Sequence, residues 1–220
     1  DPPQPLEFTV HQGMFIHPVS LFIEAVRADE ALQAEFGEDA DRFLDFINTY
    51  VLLKNEQDWL DMGEAGGAYR FEPKVTDRFP NRIMPHNQYG ALARAWVVLA
   101  DIEGAHPLMA ERAEDMLTQF KSYLQLDEEN DAWRWHYWDW IEYGEPDSSG
   151  WEDTSHGHID VSLAIEAARR GMVFTDEDMQ RFANAWLEVM WNGDEEEPLF
   201  AYRVAENDDY RHSALMRDWC

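Results

Sequence analysis

The sequence predicts an all-α protein built from a repeated pair of helices. Apolar residues recur at helical spacing in several stretches, and the clearest stripe is formed by Val161, Ala164, Ile165, Ala168 and Met172. Capping residues precede such stretches, and long connections containing Gly and Pro separate them in pairs. The leading helices of the pairs are predicted to start near residues 18, 86 and 157, about 70 residues apart. This spacing indicates an internal repeat of helical hairpins.

The first hairpin is predicted to begin at His17-Pro18, since proline is well tolerated in the first turn of a helix. Its second helix is expected after Gly37, with an apolar face formed by Phe43, Phe46, Ile47, Tyr50 and Val51. A long connection from Asp61 to Arg82 follows, with a short strand expected at Ala68 to Phe71.

The second and third hairpins have clearer boundaries. Pro85-His86-Asn87 and Pro107 are predicted to start the two helices of the second hairpin. Asp153, Thr154 and Ser155 can accept hydrogen bonds from a first helical turn, so a helix should begin near His156 and end at Gly171. Thr175 and Asp178 have the spacing of a capping box, which predicts that the next helix starts there.

Histidines mark the predicted starts of the leading helices. His17, His86 and His156 occupy equivalent places, and His212 precedes a last helical fragment. In a ring or arc of hairpins, equivalent helix ends lie on one face, so we expect these histidines and the long connections to line a common mouth. The alternative is that histidines precede these helices by chance, because short polar residues are common before helices.

The length, composition and net charge limit the classes of protein to which the chain can belong. A chain of 220 residues with 45% hydrophobic residues is long enough to bury a large core, so one domain spanning residues 1–220 is expected. The net charge of −28, with 17 basic residues of which three are lysines, argues against nonspecific nucleic-acid or anionic-membrane binding. This bias resembles proteins adapted to high salt. The first residues, DPPQP, look like a trimmed N-terminus, so a secreted or periplasmic protein is expected.

Three short runs carry a resemblance to a known family. The runs PHNQYGAL (85–92), WRWHYW (133–138) and EDTSHGHIDV (152–161) resemble the α/α-toroid polysaccharide lyases that cleave alginate or glucuronan. The resemblance implies an α/α toroid, an acidic polysaccharide substrate and β-elimination without a cofactor. Those toroids contain more hairpins than the roughly three to four predicted here. The chain is therefore an incomplete arc, part of a longer protein, or half of a homodimer.

The candidate catalytic residues follow from the chemistry of elimination. A uronate needs its carboxylate neutralised, a base for the C5 proton and an acid for the leaving O4. His86 and Asn87, at a helix N-terminus, are predicted to bind the carboxylate. His156 is the predicted base, with Asp160 four residues later to orient its imidazole.

The third long connection supplies further candidates. The resemblance implies that a tyrosine from this connection transfers a proton and that an arginine binds carboxylate. Tyr210 is preferred to Tyr202 for the first role, and Arg203 is preferred to Arg211 for the second. His158 is assigned to substrate binding. Together with His156 and Asp160 it resembles half of a metal site, but positions i and i+2 of a helix point apart, so no metal is predicted.

The aromatic run from Trp133 to Trp140 alternates, which places Trp133, Trp135 and Tyr137 on one side of an extended segment. Aromatic faces are good platforms for sugar rings, so Trp135 and Tyr137 are predicted to bind substrate. The alternative is that most of these rings belong to the core.

Two other functions stay open. A glycoside hydrolase would use a carboxylate pair such as Asp139 or Glu142 with Glu152 or Asp153. A helical arc could also bind carbohydrate without catalysis. The net charge argues against a polyanionic substrate unless the mouth is locally basic, and five arginines lie in or beside the long connections: Arg70, Arg82, Arg134, Arg203 and Arg211.

Overall fold

The computed structural model describes residues 9–71, 81–138, 150–205 and 210–211. The described chain is mostly helical, which confirms the helical fold class, and it also contains small two-stranded antiparallel sheets. Within it, no helix is both long enough and apolar enough to span a bilayer. The chain divides into two compact units, residues 1–84 with 88–119 and residues 85–87 with 120–220. The single domain and the toroid arrangement stay predictions.

The first unit begins with two long helices. Helix α1 spans Thr9–Ala28, and α2 spans Glu30–Phe46 and continues through a π-helical turn, Ile47–Leu52, into the short α3, Leu53–Asn55. The prediction that α1 starts at His17-Pro18 is wrong, because Pro18 lies inside the helix. Pro18 lacks a backbone N–H donor, and packing against α2 outweighs that loss. His17 therefore does not mark a helix start.

The boundary between α1 and α2 lies at Asp29, eight residues before the predicted one. Asp29 caps α2, since its side chain accepts hydrogen bonds from the backbone N–H groups of Ala31 and Leu32 at 2.8 and 3.0 Å. Gly37 is consequently an interior residue of α2. Of the apolar face predicted for this helix, Ile47 and Val51 are buried, whereas Phe43, Phe46 and Tyr50 are 39%, 51% and 63% exposed.

The remainder of the first unit joins a small sheet to two helices. Strands β1 (Trp59–Asp61) and β2 (Gly67–Tyr69) pair antiparallel, and β2 overlaps the strand predicted at Ala68 to Phe71. Helices α4 (His86–Leu99) and α5 (Leu108–Ser122) begin where the second hairpin was predicted. Arg112 of α5 binds Glu56 with three hydrogen bonds of 2.8 to 3.2 Å and lies over the Trp59 ring. This charge pair fixes α5 to the residues preceding β1.

The second unit carries the third predicted hairpin. Strands β3 (Gln125–Asp127) and β4 (Ala132–Arg134) pair antiparallel and precede α6 (Thr154–Arg169) and α7 (Asp176–Asn184). A π-helical turn, Ala185–Met190, extends α7, and β5 (Phe200–Ala201) pairs antiparallel with β6 (Tyr210–Arg211). Of the three candidate caps of α6, Asp153 is the one that caps it, so the helix starts two residues before His156, and the capping box at Thr175 and Asp178 is confirmed. Gly171, with φ +70°, directly follows the C-cap of α6, as expected.

Aromatic rings form the core of the second unit. Phe120 packs against Trp135 at 6.0 Å between ring centroids and against Phe182 at 6.4 Å, and Phe174 lies 6.0 Å from both phenylalanines. Trp135 meets the edge of Phe182 at 5.5 Å. Edge-to-face and offset contacts of this kind stabilise a core beyond the area that they bury.

Lys121 fixes the connection between α6 and α7. Its Nζ donates to Asp178 Oδ2 at 2.7 Å and to the carbonyl oxygen of Val173 at 2.9 Å. Val173 has φ +49°, an unfavourable conformation for a β-branched residue. Thr175 donates to the same Asp178 oxygen from its N–H and its hydroxyl, both at 2.8 Å. One buried carboxylate thus collects three donors and holds the turn.

Gly13 allows α1 to approach the backbone of α4 in the first unit. A Cβ atom at Gly13 would overlap the Ala91 carbonyl group and the Leu92 nitrogen, and backbone atoms cannot move aside. We expect Gly13→Ala to lower the free energy of unfolding by about 1–3 kcal/mol, because overpacked helices must separate. Urea denaturation measures this change.

Gly37→Ala is the matched control. A Cβ at Gly37 meets only the flexible side chain of Gln33. Alanine has a higher helix propensity than glycine, so this variant should be more stable by about 0.5–1 kcal/mol. Equal changes in the two variants would contradict the close packing of α1 on α4.

Asp178 should make stability depend on pH. Burial alone would raise the pKa of Asp178, but hydrogen bonds from Lys121 and Thr175 outweigh it and lower that pKa below 3.8. A carboxyl whose pKa is lowered by folding stabilises the protein fully above its unfolded pKa, and this stabilisation is lost as pH falls through the folded pKa. Asp178→Asn should therefore reduce the free energy of unfolding by about 1–3 kcal/mol at neutral pH. The difference from the wild type should shrink below about pH 4.

Asp176→Asn is the control for this measurement, because Asp176 lies exposed in the same helical turn. Its loss should cost only about 0.3–1 kcal/mol through the helix dipole. A deficit of the Asp178→Asn protein that stays constant from neutral pH to pH 3 would contradict the role of its charge.

Candidate functional site

The segment Gly150–Thr154, which leads into α6 and ends at its first residue, lies at the centre of the candidate site in the second unit. We call it the central segment. On one side, Glu152 N–H donates to the Trp135 carbonyl at 2.9 Å and Tyr137 N–H donates to the Gly150 carbonyl at 3.2 Å. The central segment is therefore joined to Trp135–Tyr137 as in an antiparallel pair.

The other side of the central segment is bonded to Tyr202–Val204. Thr154 N–H donates to the Tyr202 carbonyl at 2.9 Å, and Val204 N–H donates to the Glu152 carbonyl at 3.0 Å. Three stretches that are far apart in sequence thus meet beside the start of α6. Side chains alternate along the central segment as in a strand: Glu152 and Thr154 are buried, and Trp151 and Asp153 are half-buried.

His156 and Asp153 form a hydrogen-bonded pair at the start of α6. Asp153 caps the helix, with one carboxylate oxygen accepting from the N–H groups of Ser155 and His156 at 2.8 and 3.0 Å. Its second oxygen lies 2.7 Å from His156 Nδ1. The His156 side chain is 46% exposed. The imidazole is thus held at one nitrogen and open to solvent elsewhere.

The predicted partner of His156 was Asp160, and that assignment is wrong. Asp160 is buried and accepts a hydrogen bond from Trp135 Nε1 at 3.0 Å. Because Asp153 caps α6, its carboxylate lies directly over the first helical turn, which contains His156. The cap therefore reaches the imidazole, while Asp160 faces the core.

The two partners shift each other's pKa in opposite directions. Burial would raise the pKa of Asp153, but hydrogen bonds from His156 and Ser155 outweigh it and lower that pKa well below 3.8. The hydrogen bond to Asp153 raises the pKa of His156 above 6.5, and partial burial opposes this rise. The hydrogen bond between them therefore favours the charged form of both groups, the Asp153 carboxylate and the His156 imidazolium.

One aromatic ring contacts this pair, and further aromatic and arginine side chains lie at Trp151 in the same segment. The Tyr137 ring meets the His156 ring edge to face, with centroids 5.1 Å apart, and His136 stacks on Trp151 at 4.2 Å. Arg134 lies 5.2 Å above the same Trp151 ring. Arg203 donates to the Trp151 carbonyl oxygen at 2.6 Å. Two of the five arginines assigned to long connections thus converge on Trp151.

The sugar platform predicted in the aromatic run is corrected at Trp135. Trp135 is 0% exposed and packs in the core of the second unit, so its ring cannot stack on a sugar. Tyr137 is half-buried beside His156, where a bound molecule could contact it. Period-two alternation was a sound basis for an extended segment, but it did not identify which rings are buried.

His86 and Asn87 lie at the start of α4 and belong to the second unit. Each is only 2% exposed, and the His86 ring packs against Phe120 and Tyr123 at 5.2 and 5.9 Å. The buried Nδ2 group of Asn87 has no hydrogen-bond partner among the described residues. Their binding of a carboxylate stays a prediction.

The other predicted residues have different placements. His158 Nδ1 contacts the Ser155 carbonyl of its own helix. Tyr202 and Arg203 lie in the stretch bonded to the central segment, with the Arg203 guanidinium 5.8 Å from the Tyr202 ring centre. Tyr210 and Arg211 form β6, opposite β5, and only their backbone is described. Asp139, Glu142 and His212 lie outside the described residues.

Glu152 has a role that sequence reasoning did not foresee. Its side chain is 0% exposed, and Oε1 accepts from the Asp153 N–H at 2.8 Å. Burial and the negative charge of Asp160 raise the pKa of Glu152 well above 4.5. One ligand atom each from Glu152, Asp153 and His156 lies within 4.8 Å of the other two, an arrangement that could hold a metal ion. The available signal was the alternation of the run WEDT, which predicts that burial alternates along it and that Glu152 is more buried than Asp153.

Comparisons with known proteins identify no relative of this chain. No family model, no curated protein and no solved structure matches this chain. The resemblance to toroid lyases therefore rests on the three short sequence runs, and any function assigned to the chain must be supported by the geometry of its own residues.

Proposed function

We propose that this protein cleaves a uronate-containing polysaccharide of the alginate or glucuronan type by β-elimination, with the reacting groups in the second unit. The observation that carries the proposal is the His156–Asp153 pair, in which an imidazole is fixed at Nδ1 and 46% exposed. Such a pair suits proton transfer to and from a bound sugar. The toroid arrangement and a secreted or periplasmic location belong to the same proposal.

His156 acts as the base in this mechanism. In the neutral form of His156, with Nδ1 donating to Asp153, Nε2 carries the lone pair that removes the C5 proton. The electrons of the C5–H bond form the C4=C5 double bond, and the C4–O4 bond breaks. Asp153 stabilises the imidazolium ion that results, so its cap of α6 also serves the reaction.

Donors and positive charge must neutralise the uronate carboxylate while the C5 proton leaves. Asn87 has an amide of the donor type that this step needs, and its Nδ2 has no partner among the described residues, but the side chain is only 2% exposed and must become accessible before it can contact a substrate. His86, Arg203 and Arg211 are the other candidates. Arg134 and Arg203 at Trp151 supply local positive charge, which answers the objection raised by the net charge of −28.

A tyrosine completes the mechanism by protonating the leaving O4. Tyr202 is the described candidate, because its backbone is bonded to Thr154 beside His156, and Tyr210 is the second. Tyr137 gives the sugar an aromatic edge next to the base, and His158 supports the first turn of α6.

Hydrolysis is less well supported by the described carboxylates. Glu152 is 0% exposed and therefore cannot reach a glycosidic oxygen. Asp153 uses one oxygen for the cap and the other for His156. A hydrolase needs a protonated acid and an ionised carboxylate that both reach the substrate. An imidazole-centred elimination fits these residues better.

Substitution of His156 tests the base. We expect His156→Ala to lower kcat about 10²- to 10⁴-fold, because a general base typically contributes this much. The assay follows the ultraviolet absorbance of the unsaturated product on alginate, glucuronan, pectate and glycosaminoglycans, at low and high salt. His11→Ala, which removes an exposed histidine of α1, is the control and should retain wild-type turnover.

The same assay separates the other functions. New reducing ends without ultraviolet absorbance would identify a hydrolase. Polysaccharide binding without any cleavage would identify a non-catalytic module. Full turnover of the His156→Ala protein would remove His156 from the mechanism.

Two tyrosine variants test the acid. Tyr202→Phe removes a hydroxyl and leaves the backbone bond from Thr154 in place, so kcat should fall about 10²-fold or more while stability changes little. Tyr137→Phe keeps the ring beside His156 and should change kcat much less. Equal losses in the two variants would contradict the assignment of Tyr202.

A further inference from the structure

Three side chains at the start of α6 converge, and one of them, Glu152, has a buried carboxylate oxygen without a hydrogen-bond partner among the described residues. One carboxylate oxygen each from Glu152 and Asp153 and one imidazole nitrogen of His156 lie within 4.8 Å of one another. Two acids and one imidazole are a ligand set that first-row transition metals accept in proteins. Acidic clusters on a protein of charge −28 are common, so proximity alone does not identify a site.

The second observation is the state of Glu152. Its side chain is 0% exposed, and Oε2 has no hydrogen-bond partner among the described residues. A buried carboxylate oxygen without a partner loses its hydration and gains nothing in return. Asp160, also buried, adds a second negative charge close by. A cation beside Glu152 would satisfy the open oxygen and compensate both carboxylates.

We propose that Glu152, Asp153 and His156 form a binding site for one first-row transition-metal dication, with Zn²⁺ as the probe. Zinc binds nitrogen and oxygen ligands at about 2.0–2.2 Å, which puts two ligands of one ion roughly 3.3–3.5 Å apart. Asp153 Oδ2 and His156 Nδ1 are 2.7 Å apart, and one oxygen of Glu152 belongs to the same cluster, whose ligand atoms lie within 4.8 Å of one another. An ion bound by all three residues would therefore move Asp153 Oδ2 and His156 Nδ1 slightly apart.

The surrounding residues favour three protein ligands and an open position. His156 is 46% exposed, so an ion can enter from solvent and keep water in its remaining coordination position. His158 does not join, because its Nδ1 contacts the Ser155 carbonyl. Backbone bonds on both sides hold Glu152 in place, which preorganises the buried ligand.

Metal binding and the proposed catalysis use the same imidazole. An ion bound by Asp153 and His156 replaces the hydrogen bond between them, and His156 then cannot serve as the base. The inhibition inferred here rests on the proposed function, whereas the metal site does not. Zinc should therefore inhibit elimination reversibly, with chelators restoring turnover.

Calorimetric titration with Zn²⁺ tests the site on metal-free protein at moderate salt, which screens diffuse binding to the acidic surface. The wild type should bind one ion tightly. Glu152→Gln, which keeps size but removes the charge, should weaken binding about tenfold or more. Glu64→Gln, which neutralises an exposed acid of the first unit, is the matched control and should bind like the wild type.

A spectroscopic measurement covers the case in which Glu152→Gln fails to fold. Co²⁺ is used in place of Zn²⁺. In the wild type, its visible absorption should indicate a low coordination number and an imidazole ligand, and this absorption should disappear in His156→Ala. Equal zinc affinity of the wild-type and Glu152→Gln proteins, or a cobalt spectrum unchanged in His156→Ala, would overturn the proposal. Zinc binding without uronan cleavage would support the metal site and contradict the proposed function. Uronan cleavage without zinc binding would support the proposed function and contradict the metal site.

Discussion

Backbone hydrogen bonds on both edges of the central segment hold the candidate site together. Trp135–Tyr137 lies on one edge and Tyr202–Val204 on the other, so residues separated by about 70 positions meet at one helix start. Without this pairing, the cap of α6 would have no fixed direction. Asp153, His156 and Tyr137 are consequently placed by main-chain geometry and not by side-chain packing alone.

Local signals predicted much of this fold, and tertiary packing decided the remainder. The caps of α6 and α7 were predictable because Asp153, Thr175 and Asp178 act on backbone groups within three residues. The start of α1 was not, because contact with α2 allows the helix to continue through Pro18. Local sequence patterns reveal the hydrogen bonds at a helix end, but they do not reveal contacts between helices.

The same limit applies to the site. His156 could be selected from its place in the sequence, but its partner could not, since both Asp153 and Asp160 stand at helical spacing from it. Burial resolved the choice by directing Asp160 towards the Trp135 indole. The exclusion of Trp135 from a sugar platform has the same cause, because alternation defines two faces and only packing determines which one is inside.

The side-chain alternation of the central segment limits how its length can change. Glu152 and Asp153 are neighbours that differ in orientation, since the Glu152 side chain is buried and the Asp153 side chain caps a helix, although their carboxylate oxygens approach each other. A single-residue insertion or deletion between Gly150 and Asp153 would reverse these orientations, placing the cap inside and the buried acid outside. The four residues that follow Gly150 must therefore keep their number.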